Sequence, residues 1–188
     1  MFDPFRTERL QLRAFEPDDL TALHAYLNYP ELAGRRGLPW RFPGEVPLSR
    51  QQVEGVLKHW AEGENEFHLA VTLREDSTLI GHANCDWGWD AHCPEIEVVI
   101  SPAYQFQGYG SELLTRLLVY LFENTPAHSL GGGLASWNQE ALKFTRKHGF
   151  THSGTMRRAG LRDGQAYDWL GVDLLRPEWL ARTPKGGA

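Results

Sequence analysis

Cysteine and methionine are scarce in this chain of 188 residues, with two of each. Cys85 and Cys93 are too few for a disulfide framework, and a single pair in an intracellular chain reads as free thiols. His82 and His92 lie nearby, but zinc would need the four side chains to converge. Strand alternation instead puts His82 and Cys85 on opposite sides, so no metal is expected. An excess of basic residues is lacking too: 19 Lys and Arg stand against 24 Asp and Glu, a formal charge of −5. That balance argues against a broad grip on nucleic acid and suits a cationic substrate. No apolar run of about 18 residues could span a membrane, so no membrane partner is expected. The opening Met1-Phe2-Asp3-Pro4 has neither the basic nor the apolar region of a signal peptide, which points to a cytoplasmic protein.

The chain has enough apolar sequence, 41% of its residues, to build a core of its own. Residues 1–180 are expected to form a single domain. The tail at 181–188 ends in Thr183-Pro184-Lys185-Gly186-Gly187-Ala188, with nothing large enough to dock. Alternation, helical periodicity and turn residues predict strands at about 9–14, 67–73, 79–89, 95–100 and 130–136, then two closing strands joined at Asp163-Gly164. Helices are predicted at 17–28, 49–62, 108–123 and 138–148. The pattern is α+β, without internal repeats or low-complexity tracts.

The segment from Val98 to Leu114 is an apolar strand, a glycine-bearing turn and a helix start. Gly108 and Gly110 remove side chains where backbone must approach a ligand, and the first-turn N–H groups of the helix then point outward. Phosphate is the natural occupant of such a turn. A dinucleotide fingerprint would need glycine where Leu113 stands, and a P-loop would need Gly-Lys-Ser/Thr; neither is present. What fits is Gln-x-x-Gly-x-Gly at Gln105, Gly108 and Gly110, after Ser101-Pro102.

With this element the chain resembles the GNAT N-acetyltransferases, in which it holds the pyrophosphate of acetyl-CoA. Thr7-Glu8-Arg9-Leu10-Gln11-Leu12-Arg13, Leu79-Ile80-Gly81, Glu95-Ile96, Trp137-Asn138-Gln139-Glu140-Ala141 with His148-Gly149-Phe150, and Arg162-Asp163-Gly164 resemble, in order, the RimJ/RimL-like branch of that superfamily. The resemblance spans roughly residues 7 to 175. It implies the GNAT fold: a central mixed, mostly antiparallel twisted sheet of about seven strands flanked by about four helices. It also implies an acyltransferase that uses acetyl-CoA as co-substrate and acetylates a primary amine by direct transfer. The acceptor would be a small molecule or a protein N-terminal α-amine. Acceptor identity and acyl-chain preference stay open, as does a homodimer, which is common in the family.

The resemblance assigns acetyl-CoA to Val98, Val99 and Ile100 of the strand, to Gln105, Phe106, Gln107, Gly108, Tyr109, Gly110 and Ser111 of the turn, and to Asn138 and Phe144. Asn138 is equally a helix N-cap by its type. For the base, Glu95 and Glu97 lie two apart on a strand and share a face, while Ile96, Val98 and Ile100 share the other. A carboxylate there could take a proton from an ammonium if burial raised its proton affinity. Glu95 corresponds better to the glutamate of the branch, and Glu97 lies nearer the thioester. The general acid departs from pattern: Thr145 stands where many relatives carry tyrosine, and Ala141 where some carry serine. Either solvent or Ser136 protonates the leaving thiolate, or the domain is a catalytically inactive acyl-CoA-binding sensor or partner module.

For the amine itself, aromatic rings and carboxylates suit a cation, which singles out Trp40, Asp86, Trp87 and Tyr167; Trp89, Asp90 and Trp169 share the character. Core packing is the plainer role for the tryptophans. The passage from Asn28 to Pro47, with Pro30, Pro39, Pro43 and Pro47, reads as a long ordered loop. In the resembled family it covers one side of the substrate site. Its Arg35, Arg36 and Arg41 suggest an acidic group or the 3′-phosphate of the cofactor as neighbour.

Overall fold

A computed structural model describes residues 5–39, 42, 44–88 and 90–182. Its packing falls into two compact units, Met1–Asp86 with Glu97–Tyr120, and Trp87–Ile96 with Leu121–Ala188. The strands follow the order β1-β2-β3-β4-β5-β7-β6 in a seven-stranded sheet, mixed because β4 and β5 run parallel.

The first unit holds β1 (Leu10–Ala14), α1 (Leu20–Leu27), α2 (Arg50–Glu62), β2 (Glu66–Leu73), β3 (Leu79–Asp86) and the greater part of β4 (Glu95–Ile100) and of α3 (Tyr109–Asn124). Alternation sorts its core into two layers. Ala70, Leu79 and Val99 pack with Leu23, Tyr26 and Leu27 of α1 and Val53, Val56 and Trp60 of α2. Their neighbours Val71, Ile80 and Ile100 pack with Leu10 and Leu12 of β1 and Leu113 and Leu117 of α3. One irregularity breaks the alternation. On β3, Leu79 pairs with Thr72 and Gly81 with Val71, so Ile80 is an extra residue opposite β2. A bulge of this kind reverses the facing of the residues beyond it. Ile80 lies in the α3 layer, and His82, two residues on, instead meets Tyr26 and Trp60 of the α1 and α2 layer.

α1 starts one turn later than expected, because Pro17–Asp19 forms a separate 3-10 turn. Asp19 holds that corner: its carboxylate accepts the Glu16 amide at 2.8 Å and Arg13 Nη1 and Nη2 at 2.7 Å each. Burial alone would raise its pKa, but the Arg13 and Glu16 hydrogen bonds outweigh burial and leave it below the usual value. Asp19→Ala should cost about 2 kcal/mol, the sum of a lost cap and a stranded guanidinium. A shift in the urea midpoint at constant m-value would register it; an unchanged midpoint would contradict this account of the corner.

The second unit carries β5 (Ser129–Ala135), α4 (Gln139–Lys147), β6 (Thr151–Arg162), β7 (Gln165–Leu175) and α5 (Arg176–Arg182). Here β5 and β6 both pair antiparallel with β7, and β4 meets β5 at Glu95↔Gly131. α5 goes beyond the four expected helices and takes Ala181 and Arg182 out of the expected tail. Glu178 accepts the Leu175 amide at its start, and Trp179 packs on Phe122 with ring centroids 5.2 Å apart. Residues 183–188 lie outside the described residues. β3 stops at Asp86, short of the expected 89, because its partner strand begins at Glu66, which pairs with Asp86. No helix among the described residues is long and apolar enough to cross a membrane.

Candidate active site

In the first unit, β4 leads directly into the glycine turn. The Ser101 amide donates to Ile80 O at 2.7 Å, and Pro102–Tyr104 make a single 3-10 turn. Gln105 Nε2 donates to Ile100 O at 2.7 Å, and Gln107 Nε2 to Ala103 O at 3.1 Å. Both glutamine side chains brace the turn through its own carbonyls, so what it presents to a ligand is main chain. Phe106 and Gly108 have positive φ, 61° and 89°, a region that costs glycine little and other residues more. The Phe106 side chain is 87% exposed. The first turn of α3 is then pinned from β1's side. Arg9 Nη1 donates to Gln107 O at 3.1 Å, its guanidinium lies 4.3 Å from the Tyr109 ring centroid, and its Nε meets Glu112 Oε2 at 2.7 Å. Burial would raise the Glu112 pKa, yet hydrogen bonds from Thr7 and Arg9 hold it below the usual value. The result is a fixed helix N-terminus behind a left-handed glycine, an arrangement suited to a polyphosphate.

The expected pair of carboxylates lies on β4 as alternation required: Glu95 and Glu97 are exposed, and Ile96 and Val98 half-buried. Burial is therefore not what sets either one up as a base, contrary to the expectation, because this strand turns its acidic side to solvent. The environments of the two differ. Glu95 lies in the second unit, its Cγ beside Gly131. Glu97 lies in the first, its carboxylate folded against Gly37, where a Cβ would come within 2.8 Å of Oε2. Gly37 belongs to the Asn28–Pro47 passage, so that passage lies beside Glu97. His82 Nε2 reaches the same point, 2.9 Å from that Cβ position. Nothing in the sequence joins residues 37, 82 and 97; the one available signal was an isolated histidine in the apolar run of β3.

Arg36 of the passage is buried with its Nη1 on Val46 O at 2.6 Å. Burial lowers its pKa and outweighs Glu45, which raises it, so Arg36 has an acidic neighbour within the passage itself. Arg35 Nε donates to Glu31 O at 2.6 Å. Trp40, Arg41 and Trp89 lie outside the described residues. Asp86 is the exposed last residue of β3 in the first unit, and half-buried Trp87 comes directly after the strand, in the second. Cys85 and Cys93 are poor nucleophiles, since burial pushes both thiols up.

In the second unit Ser136 is tied to β7: its amide donates to Asp168 O at 2.8 Å and its Oγ accepts the Asp168 amide at 3.1 Å. Asn138 caps α4, with Oδ1 accepting the Ala141 amide at 3.4 Å. Phe144 packs on His148 with centroids 4.7 Å apart. The Thr145 hydroxyl donates to Leu142 O at 3.1 Å, so its proton is committed to the helix backbone. Tyr167 lies edge-on to Trp137 at 6.4 Å, and the Arg162 guanidinium covers the Trp137 ring at 3.9 Å.

A family model for the acetyltransferase (GNAT) domain matches residues 9–151. YnaD of Bacillus subtilis, described as an uncharacterized N-acetyltransferase, is 24% identical over 173 residues, 92% of this chain and 97% of that one. Among solved structures, a GNAT-family acetyltransferase from Bacillus anthracis superposes with a TM-score of 0.78 at 21% identity, covering 92% of this chain and 98% of the other. Spermidine N-acetyltransferase from Vibrio cholerae, solved with CoA and spermine, gives 0.77 at 23% identity, with 93% and 99% covered.

Proposed function

The chain belongs to the acetyltransferase (GNAT) domain family, and on that premise we propose that it moves the acetyl group of acetyl-CoA onto a small-molecule primary amine, with Glu97 as the base. The observation that carries the base assignment is the Glu97 carboxylate held against Gly37, on the strand that runs into the glycine turn. Acetyl-CoA supplies an acyl carbon activated as a thioester. The turn at Gly108 and the first turn of α3 would hold its pyrophosphate through main-chain N–H groups, and the backbone of Val98–Ile100 would take the pantetheine arm as an added strand.

Fixing both reactants removes most of the entropic barrier to their meeting. Glu97 then takes a proton from the ammonium, the freed nitrogen bonds to the acyl carbon and gives up its second proton to solvent, and the carbon–sulfur bond breaks to leave the amide. The departing sulfur takes its proton from solvent, and the Thr145 hydroxyl is engaged elsewhere. A net negative chain suits a cationic acceptor. The relative solved with spermine acts on a polyamine, as its name states. Residues 1–180 acting as one domain and pairing of the chain with itself belong to the same proposal at finer grain; an N-terminal α-amine as acceptor is its alternative.

Calorimetric titration with acetyl-CoA, then thiol release in the presence of polyamines, amino acids and N-terminal peptides, tests it. Binding with release that depends on a small amine is the expected result. Release driven only by peptides would move the acceptor to protein N-termini, and binding without release across the panel would favour the sensor reading. Gly108→Trp should weaken acetyl-CoA roughly 100-fold, because a side chain at φ 89° both strains the turn and fills the cradle. Undiminished affinity in that variant would remove the cradle from the account.

A further inference from the structure

The first unit buries a tyrosine and a histidine together, and the acetyl transfer as proposed uses neither. Tyr26 of α1 and His82 of β3 are 3% and 0% exposed, and Tyr26 Oη lies 2.6 Å from His82 Nδ1. Burial raises the Tyr26 phenol well above its ordinary pKa, so it keeps its proton. Burial, with His68 nearby, pushes His82 down to about 3, so the ring is neutral and carries a single N–H. Among the described residues the Tyr26 hydroxyl has His82 Nδ1 as its hydrogen-bond partner. A hydroxyl that donates to Nδ1 leaves the ring proton to Nε2.

That Nε2 is buried and makes no hydrogen bond of good geometry among the described residues, although the backbone of Gly37 and Arg36 lies close enough to favour its proton; a donor so poorly matched costs free energy unless something better placed accepts the proton. It points at the notch beside Gly37, whose φ of 64° and missing side chain leave room there. Nε2 and Glu97 Oε2 lie 2.9 and 2.8 Å from one and the same point in that notch.

We propose that His82 is a positioning residue for the catalytic carboxylate: its Nε2–H, oriented by Tyr26, is donated to Glu97 Oε2 directly or through one water held in the Gly37 notch. Glu97 then turns its other oxygen toward the ammonium. The inference rests on the reading of Glu97 as the base. His82 is not itself the base, because its lone pair is taken by Tyr26 and its ring stays neutral throughout the working range. The bulge at Ile80 is what delivers the imidazole to this side of β3.

The ionisable groups facing the pair come from every neighbouring element. Tyr26 is from α1 and His68 from β2, the latter tied through its Nδ1 to Asn84 Oδ1 at 2.8 Å and 3.1 Å from Glu66, while the Asn28–Pro47 passage contributes the backbone of Arg36 and Gly37. Asn84 Nδ2 donates to Gly37 O at 3.0 Å and so fixes the wall of the notch. α2 contributes the ring of Trp60, 5.0 Å from that of His82.

The test uses the full chain with His82→Leu, His82→Gln, Tyr26→Phe and Glu97→Gln, each checked for melting temperature and acetyl-CoA affinity. His82→Leu should lower kcat roughly 10-fold with acetyl-CoA affinity unchanged, and move the acidic limb of the kcat/KM profile to higher pH, since a carboxylate that loses a donor holds its proton more tightly. His82→Gln carries an amide N–H to about the same place and should recover most of the rate and return the limb. In the wild type, long-range nitrogen-15 spectra should show His82 neutral with its proton on Nε2, and Glu97→Gln should shift that resonance. A proton on Nδ1, or a limb that stays put in His82→Leu and Tyr26→Phe, would overturn the inference. If His82→Leu does not fold, His82→Gln and Tyr26→Phe decide it by the same readouts. If the limb persists in Glu97→Gln, the base reading itself has failed and the positioning role falls with it; the nitrogen spectra separate that outcome from a failure confined to His82.

Discussion

Glu97→Gln is expected to lower kcat by two to three orders of magnitude, about what removal of a positioned general base costs, while acetyl-CoA binds as before. The substitution keeps the shape that fits against Gly37 and removes the ability to accept a proton, so a large loss reports chemistry rather than a collapsed notch. The turn that would hold the cofactor is braced by Gln105, Gln107 and Arg9, which act through the main-chain carbonyls of Ile100, Ala103 and Gln107. Two controls sharpen the reading. Raising the pH toward the pKa of the acceptor amine should shrink the deficit, because more of the amine then arrives without the proton the carboxylate would have removed. Glu95→Gln should cost less than about 10-fold, since Glu95 stands at Gly131 of β5 with no buried donor described beside it. Thiol release over a range of pH decides between the two; a larger loss for Glu95→Gln would pass the base role to that residue.

Lowering the pH from 7 to 5 should remove about 2 kcal/mol of folding stability through His82 alone. In the unfolded chain an imidazole takes up its proton near 6.5, whereas buried beside Tyr26 and Trp60 it resists protonation down to about 3. Between those values the unfolded state binds one more proton, so acid favours unfolding, and the loss grows with each step down. Above about 6.5 neither state binds the proton and the effect vanishes. His148 is shifted in the same direction, first by burial and then by Lys147, and its contribution likewise begins as the pH falls through the unfolded value. Asp19 and Glu112 are depressed carboxylates, whose stabilisation is lost only as the pH falls below about 4. Urea midpoints at pH 7 and 5 for wild type and His82→Gln isolate the effect. The variant should lose most of the difference, and an equal slope in both would mean that the ring is not held neutral.

The parts of this architecture that could be read from residues alone are those governed by local rules. The apolar strand, the glycines at 108 and 110 and the helix behind them come from spacing within one short stretch, and the structure sets them out in that order. The closing hairpin is equally local, with Asp163 and Gly164 both at positive φ between β6 and β7. What was not legible depends on partners far along the chain. β3 ends at Asp86 because β2 begins at Glu66. α5 has a proline and an acid in its first turn, a start signal by type, but at seven residues it owes its existence to Trp179 packing on Phe122. Alternation put Glu95 and Glu97 on one side of β4, and it had no means of showing that Glu97 would lie against Gly37, at a point an imidazole from β3 also approaches.

The single unpaired residue at Ile80 has a bearing on how relatives of this chain should be compared. Two sequences aligned column by column through β3 can carry histidine in the same column and yet present it to opposite layers, if one of them lacks the extra residue. Identity at position 82 is therefore informative only together with the count of residues from the hairpin before it. A transplant of this imidazole into another scaffold would have to carry the preceding insertion along with the side chain.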